Sequence, residues 1–353
     1  MPSYDPFSRG PYPVGVRTVP AVDGARGRSF ECEVWYPATG VNIGADLEPD
    51  HQDSFLDRTG ATRNQAAIRD ADPRPGPRTL LLFSHSSGAG RQSATFLTTH
   101  LASHGYLVAA LDHSEMIDPA LGPNPDATPD ERKDRIQAII GGRVPDIVFL
   151  TQTIRQSAGG MGIGLESGIG ICGHSFGGWT ALAAVGEEKS IRSVVALAPG
   201  GAANPRPGIL PLRLDFEWGR PVPALFLVAE DDVTLPLSGM YELFGRAPAP
   251  KQMIVLRRAD HSHFGDQVAI SHESMRTAVL PAELDWLGRE MVPIEELAPE
   301  EQAHRFTRGL ALAHFDATLR GDGAATELLE TGLVGALEAQ GLDAYPANAE
   351  GLG

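Results

Sequence analysis

The sequence predicts an α/β fold, with a mostly parallel central sheet and helices on both faces. Two observations carry this. Short apolar runs alternate with helical patterns along the chain, the order that builds crossover units. Those runs are continuous rather than alternating, as in strands covered on both sides. They are Leu80-Leu81-Leu82-Phe83, Tyr106 to Leu111, Ile169 to Cys172, Ser193 to Leu197, Ala224 to Val228 and Met253 to Leu256.

The elements follow in order. Phe30 to Tyr36 alternates like a half-buried strand. An irregular, Pro-rich excursion is expected at about 38–78. The run ending at Phe83 leads into Ser84-His85-Ser86-Ser87-Gly88, then a helical pattern through Phe96, Leu97 and Leu101. A second polar excursion is expected at 114–143, with a helix beginning just after Pro145-Asp146, where Ile147, Leu150 and Ile154 recur at helical spacing. A small-residue helix covers Thr180 to Val185, and a third excursion spans 199–221. Helices are expected near 274–290 and 299–320, the latter with Phe306, Leu310, Ala313 and Leu319 on one stripe. The whole chain reads as a single domain, 1–353, with a helical C-terminal extension at 295–353.

Composition bounds the partners. The 29 Lys and Arg against 45 Asp and Glu give a net charge of −16, which repels phosphate backbones and argues against nucleic acid. No run of about 18 apolar residues occurs, so no membrane span is expected. Met1-Pro2-Ser3-Tyr4-Asp5-Pro6 has neither the charged nor the apolar region of a signal peptide, which implies a cytoplasmic chain. Two cysteines, Cys32 and Cys172, sit in apolar strands and read as buried free thiols rather than a disulfide framework. His51, His100, His104, His304 and His314 form no metal-ligand pattern, so neither metal nor cofactor is expected.

Gly173-His174-Ser175-Phe176-Gly177-Gly178 matches G-x-S-x-G and lies between an apolar strand and a small-residue helix. A sharp strand-to-helix turn would raise the Ser175 hydroxyl above the sheet, with the helix N-terminus behind it favouring negative charge. A serine needs a base to take its proton. Glu230-Asp231-Asp232 follows the strand at 224–228, and His261-Ser262-His263 follows the strand at 253–256. Acid and base thus come after the nucleophile in the order Ser, Asp, His, each just past a strand end. Adjacent residues leaving a strand point in opposite directions, so only one of Asp231 and Asp232 can face the base. Spacing alone does not choose between His261 and His263. An oxyanion needs two N–H donors. Phe176 supplies one, and the loop 84–88 is the natural source of the other, placed at Ser87. His85, His113 and His174 flank these motifs as orienting groups, and Phe216 and Trp218 are candidate walls of a substrate pocket.

The chain resembles the platelet-activating-factor acetylhydrolase and dienelactone-hydrolase-like branch of the α/β-hydrolases. The likeness lies in Gly10 to Gly15, Glu33-Val34-Trp35-Tyr36-Pro37, Phe83-Ser84-His85 with Gly88, and Gly173 to Gly178, and covers roughly residues 10–320. It implies the α/β-hydrolase fold and a serine esterase acting on a small-molecule ester. Where the family usually has His-Gly, this chain has His85-Ser86. Some members place the acid after the strand that ends here at Leu197-Ala198, where no carboxylate stands; others use the next strand end. The resemblance therefore implies Asp232, a few residues before Pro236, as acid. It implies His261 as base through His261-x-x-Phe264-x-Asp266. Two rival functions stay open: amide, peptide or thioester cleavage by the same residues, and a non-catalytic binding protein on this scaffold.

Overall fold

The computed structural model describes residues 4–347, and the chain divides into two compact units. One comprises Gly10–Ile169 with Glu187–Ser190; the other comprises Met1–Arg9, Gly170–Gly186 and Ile191–Gly353.

The first unit opens with a hairpin, β1 (Val14–Asp23) and β2 (Arg28–Pro37), in register from Val14 opposite Pro37 to Asp23 opposite Arg28. The strand expected at 30–36 is therefore longer, and β1 escaped notice because Arg17, Thr18 and Pro20 interrupt its apolar run. The 38–78 excursion is not all loop. It holds a separate hairpin, β3 (Asp53–Leu56) with β4 (Thr62–Gln65), and a two-residue β5 (Ile68–Arg69) parallel to β1. Arg69 explains this order: its guanidinium spans Asp53, 2.7 Å away, and Glu33, 2.7 Å away. Then come β6 (Gly76–Ser84), α1 (Thr95–Ser103) and β7 (Leu107–Leu111). β6 and β7 are parallel, β7 is antiparallel to β2, and Leu80 to Leu82 are inaccessible to solvent. Each such leucine contributes about 1.5–3 kcal/mol by leaving water.

The 114–143 excursion contains α2 (Ser114–Ile117), and a long helix, α3 (Pro129–Ser157), starts within it. Thr128 is its N-cap, bonded reciprocally with Glu131, and Pro129 sits in its first turn. The expected start after Pro145 is thus corrected: Pro145 lies inside α3. A proline interior to a helix costs about 3 kcal/mol. Buried contacts on both sides hold it in place, Arg143 with Glu115 and Asp146 with Ser114. β8 (Ile163–His174) follows.

The second unit contains the end of β8, α4 (Phe176–Glu187), β9 (Ile191–Leu197), β10 (Ala224–Ala229), α5 (Leu237–Arg246) and β11 (Lys251–Leu256). β9, β10 and β11 are mutually parallel. Instead of one helix at 274–290 there are α6 (Val268–Thr277) and a short α7 (Leu287–Glu290), separated by Pro281. α8 (Glu300–Phe315) carries buried Phe306, Leu310 and Ala313, but it ends before Leu319. Asp316–Arg320 widens into a π turn, which rotates Leu319 off the stripe. The C-terminal extension is not purely helical. After α9 (Gly323–Glu327) and α10 (Leu333–Ala339), β12 (Ala344–Pro346) joins β11 antiparallel.

Cys32 and Cys172 are both buried and free. Among the described residues, no helix is long and apolar enough to cross a membrane.

Candidate active site

Ser175 occupies the single residue between β8 and α4, with φ +58°. That left-handed backbone is strained for a residue with a Cβ, at about 1–3 kcal/mol. Neighbouring strands hold it there. The Ser175 N–H donates to Leu197 O at 2.9 Å, and its carbonyl accepts from Gly200 N–H and Trp179 N–H, both at 3.0 Å. Gly178 permits the close approach: a Cβ there would lie 2.9 Å from Pro199 Cα. The serine stands half-buried at the N-terminus of a twelve-residue helix, whose dipole favours developing negative charge. Phe176, the next residue, is the first of that helix.

Asp232 follows β10 and is buried. Its Oδ1 accepts from Leu235 N–H at 2.8 Å, and its Oδ2 lies 2.7 Å from His261 Nδ1. His261 opens a 3₁₀ turn, His261–Phe264, that follows β11. An ionised carboxylate only accepts, so Nδ1 carries the hydrogen and Nε2 is left as a base. The His261 ring packs against His174, with centroids 4.7 Å apart, which brings it beside the residue preceding Ser175. Burial pushes the His261 pKa down, but the charge and hydrogen bond of Asp232, with the charge of Asp260, outweigh burial and leave it above the ordinary histidine value. His174, buried and facing His261, is held well below that value. Asp231 is anchored through its N–H to Ala259 O, and burial followed by the nearby Asp260 charge raises its pKa. His263 is fully buried; its Nδ1 faces Asp260 Oδ1 at 2.7 Å, and its Nε2–H donates to Ala298 O at 3.1 Å. The structure therefore pairs Asp232 with His261 and Asp260 with His263.

The chain aligns at 22% identity with ferulic acid esterase from Streptomyces cinnamoneus, with a TM-score of 0.59, over 88% of this chain and 92% of that one. The parallel strands of each unit, with helices between them, agree with that likeness. The chain therefore has the α/β-hydrolase fold. In sequence it is 26% identical over 220 residues to a platelet-activating factor acetylhydrolase from Cavia porcellus. That alignment spans 53% of this chain and 48% of the relative, about half the length of each. No protein-family model matches the chain.

The chain also carries a hydrogen-bonded Ser-His-Asp line that sequence reasoning missed. In the first unit, Ser84 Oγ is 2.8 Å from His113 Nε2, and His113 Nδ1 is 3.2 Å from Asp146 Oδ2. Geometry alone would nominate it, but all three side chains are fully buried. Burial, then the neighbouring Arg143 charge, lowers the His113 pKa. Asp146 is further tied by Ser114 N–H and Oγ–H and by Arg26, so the set is a structural tether. The only signal in the sequence was the pair of histidines following β6 and β7, His85 and His113.

The His85 Nδ1–H donates to Ser86 O at 2.7 Å, while its Nε2 accepts from His113 N–H at 3.0 Å, which assigns its tautomer. Arg143 Nη1 donates to His85 O at 2.6 Å. In a trans peptide C=O and N–H point oppositely, so fixing the Ser86 carbonyl also fixes the direction of the Ser87 N–H. Ser87 itself is exposed, in the loop after β6. Of the two aromatic candidates in the 199–221 excursion, Trp218 is buried with its indole N–H on Leu182 O at 3.0 Å, and Phe216 is half-buried beneath Arg246.

Proposed function

We propose that this chain is a serine hydrolase that cleaves a carboxylic ester through an acyl-enzyme. The observation that supports it best is the Asp232–His261 pair, set against the residue that precedes a serine in a strained elbow. In this reading Ser175 Oγ attacks the ester carbonyl carbon while His261 Nε2 takes its proton. The tetrahedral oxyanion is received by the Phe176 N–H. His261 returns the proton to the departing alcohol, which leaves an acyl group on Ser175. Water, deprotonated by the same Nε2, then attacks the acyl carbon; the bond to Ser175 Oγ breaks, the acid leaves, and Nε2 returns the proton to Ser175 Oγ. Asp232 keeps the imidazole in the Nδ1–H tautomer and balances the charge it gains. All of this is side-chain and backbone chemistry.

Ester cleavage is preferred to amide or thioester cleavage because one relative is named for hydrolysing an acetyl group and the other as an esterase. A series of nitrophenyl esters of increasing acyl length, run beside matched anilides and thioesters, tests the bond and the acyl size together. Fluorophosphonate should label Ser175. A chain that neither labels nor turns over any of these substrates is not a hydrolase.

A further inference from the structure

Beside the proposed base stands a second buried carboxylate that the mechanism does not use. We propose that Asp260 is a positioning residue for His261, gathering the turn that carries it and fixing where its imidazole points. This deepens, and rests on, the reading of His261 as base.

Asp260 immediately precedes His261 and is 3% exposed. Its Oδ1 accepts from Ser262 N–H at 2.9 Å and faces His263 Nδ1 at 2.7 Å. Its Oδ2 faces His272 Nδ1, on α6, at 2.5 Å. One side chain thereby joins the first turn after β11, the buried His263 and a separate helix. Through His263 the turn is also held to Ala298, just before α8.

The arrangement is poorly suited to stability for its own sake. Taking a carboxylate out of water is costly unless its partners are complete. His272 is fully buried, yet its Nε2 has no hydrogen-bond partner among the described residues. An unpaired buried nitrogen is a penalty. Sites that accept such a local penalty tend to be functional ones. Burial alone would raise the Asp260 pKa; its hydrogen bonds and electrostatic attraction to His263 and His272 bring it below the ordinary carboxylate value. The residue is thus a fixed negative charge beside His261. The titratable groups felt by His261 are Asp232, Asp260 and His174, so removing Asp260 has a readable sign.

The test is Asp260→Asn in the full chain, assayed with a nitrophenyl ester across pH, beside Ser175→Ala. Turnover should fall about tenfold, the scale on which groups that orient a working histidine act, with KM within about twofold. With a negative charge gone, the acid limb of the pH profile should move to lower pH. If Ser175→Ala is dead while Asp260→Asn keeps the wild-type kcat and acid limb, the positioning role fails and the hydrolase reading stands. A fall in kcat with an unmoved acid limb makes Asp260 merely structural and also overturns it. If Ser175→Ala retains turnover, the hydrolase reading itself is wrong and this inference goes with it. Should Asp260→Asn not fold, His272→Leu serves instead. It strips a donor from Asp260, so kcat should drop several-fold and, with Asp260 less firmly ionised, the acid limb should move to lower pH as in Asp260→Asn; a wild-type profile in that variant overturns the proposal.

Discussion

His261 Nδ1–H donates to Asp232 Oδ2 across 2.7 Å, joining residues that are 29 positions apart in the chain and follow different strands. The neighbouring Asp231 makes its anchoring bond through its backbone, to Ala259. Asp232→Asn should reduce kcat by about 10⁴-fold, because an amide in that place can hold the wrong tautomer of the base. Asp231→Asn should cost far less. Parallel kinetics on the two variants decide it, and a more damaging Asp231→Asn would reverse the assignment.

Ser175→Ala should leave only residual turnover, a loss of about 10⁴–10⁶-fold in kcat. Its fold should survive, since alanine fits the space and relieves nothing in the core. Circular dichroism checks the fold, and near-normal turnover in a folded variant would remove the nucleophile.

His261→Ala should lose turnover on the same scale, whereas His263→Ala should chiefly lose stability. His263 is fully buried between Asp260 and Ala298 O, so its removal takes one partner from a buried carboxylate and leaves the Ala298 carbonyl without its donor. Melting temperature and kcat measured on both variants should move in opposite rank order.

The pH profile follows from two opposite shifts. His261 must be neutral to act as base, and its pKa lies above the ordinary value, so activity should fall as pH drops through a midpoint above about 6.5. Stability responds otherwise. A raised pKa contributes stability below the unfolded value, and that contribution is lost as pH rises through the folded value. Burial instead pushes His314 down to about 4. Its contribution is complete above about 6.5 and is lost as pH falls toward 4, a change of about 3 kcal/mol. His314→Gln should flatten the acid side of the stability curve in denaturant titrations at pH 7, 5.5 and 4, while the activity limb stays where it was.

Arg143 is fully buried, paired with Glu115 and donating to His85 O. Arg143→Ala strands Glu115 and should destabilise the fold by about 3–5 kcal/mol. Arg143→Lys should recover only part of this, since an ammonium cannot reach both partners in the guanidinium plane. Urea unfolding of the two variants measures the difference.

The local pattern of the chain carried the architecture and the place of Ser175. Continuous apolar runs such as Leu80 to Phe83 can be satisfied only between two layers, and glycines around Ser175 suit only a tight turn. Both constraints act within a few residues, so they are written along the chain. The pairing of acids with histidines is different. Asp231, Asp232 and Asp260, and His261 and His263, carry equivalent chemistry on neighbouring loops, and which carboxylate meets which imidazole depends on where β10, β11 and α6 bring those loops. Local rules also failed where distant partners overrode them. Pro145 lies inside α3 because buried contacts flank it, and β12 forms because β11 offers it an edge. The Ser84–His113–Asp146 line left only its histidine, His113 after β7, as a mark in the sequence, since its members lie on β6, after β7 and inside α3 and meet only in the folded interior. Burial, a property of the tertiary structure alone, is what separates that tether from the half-exposed Ser175.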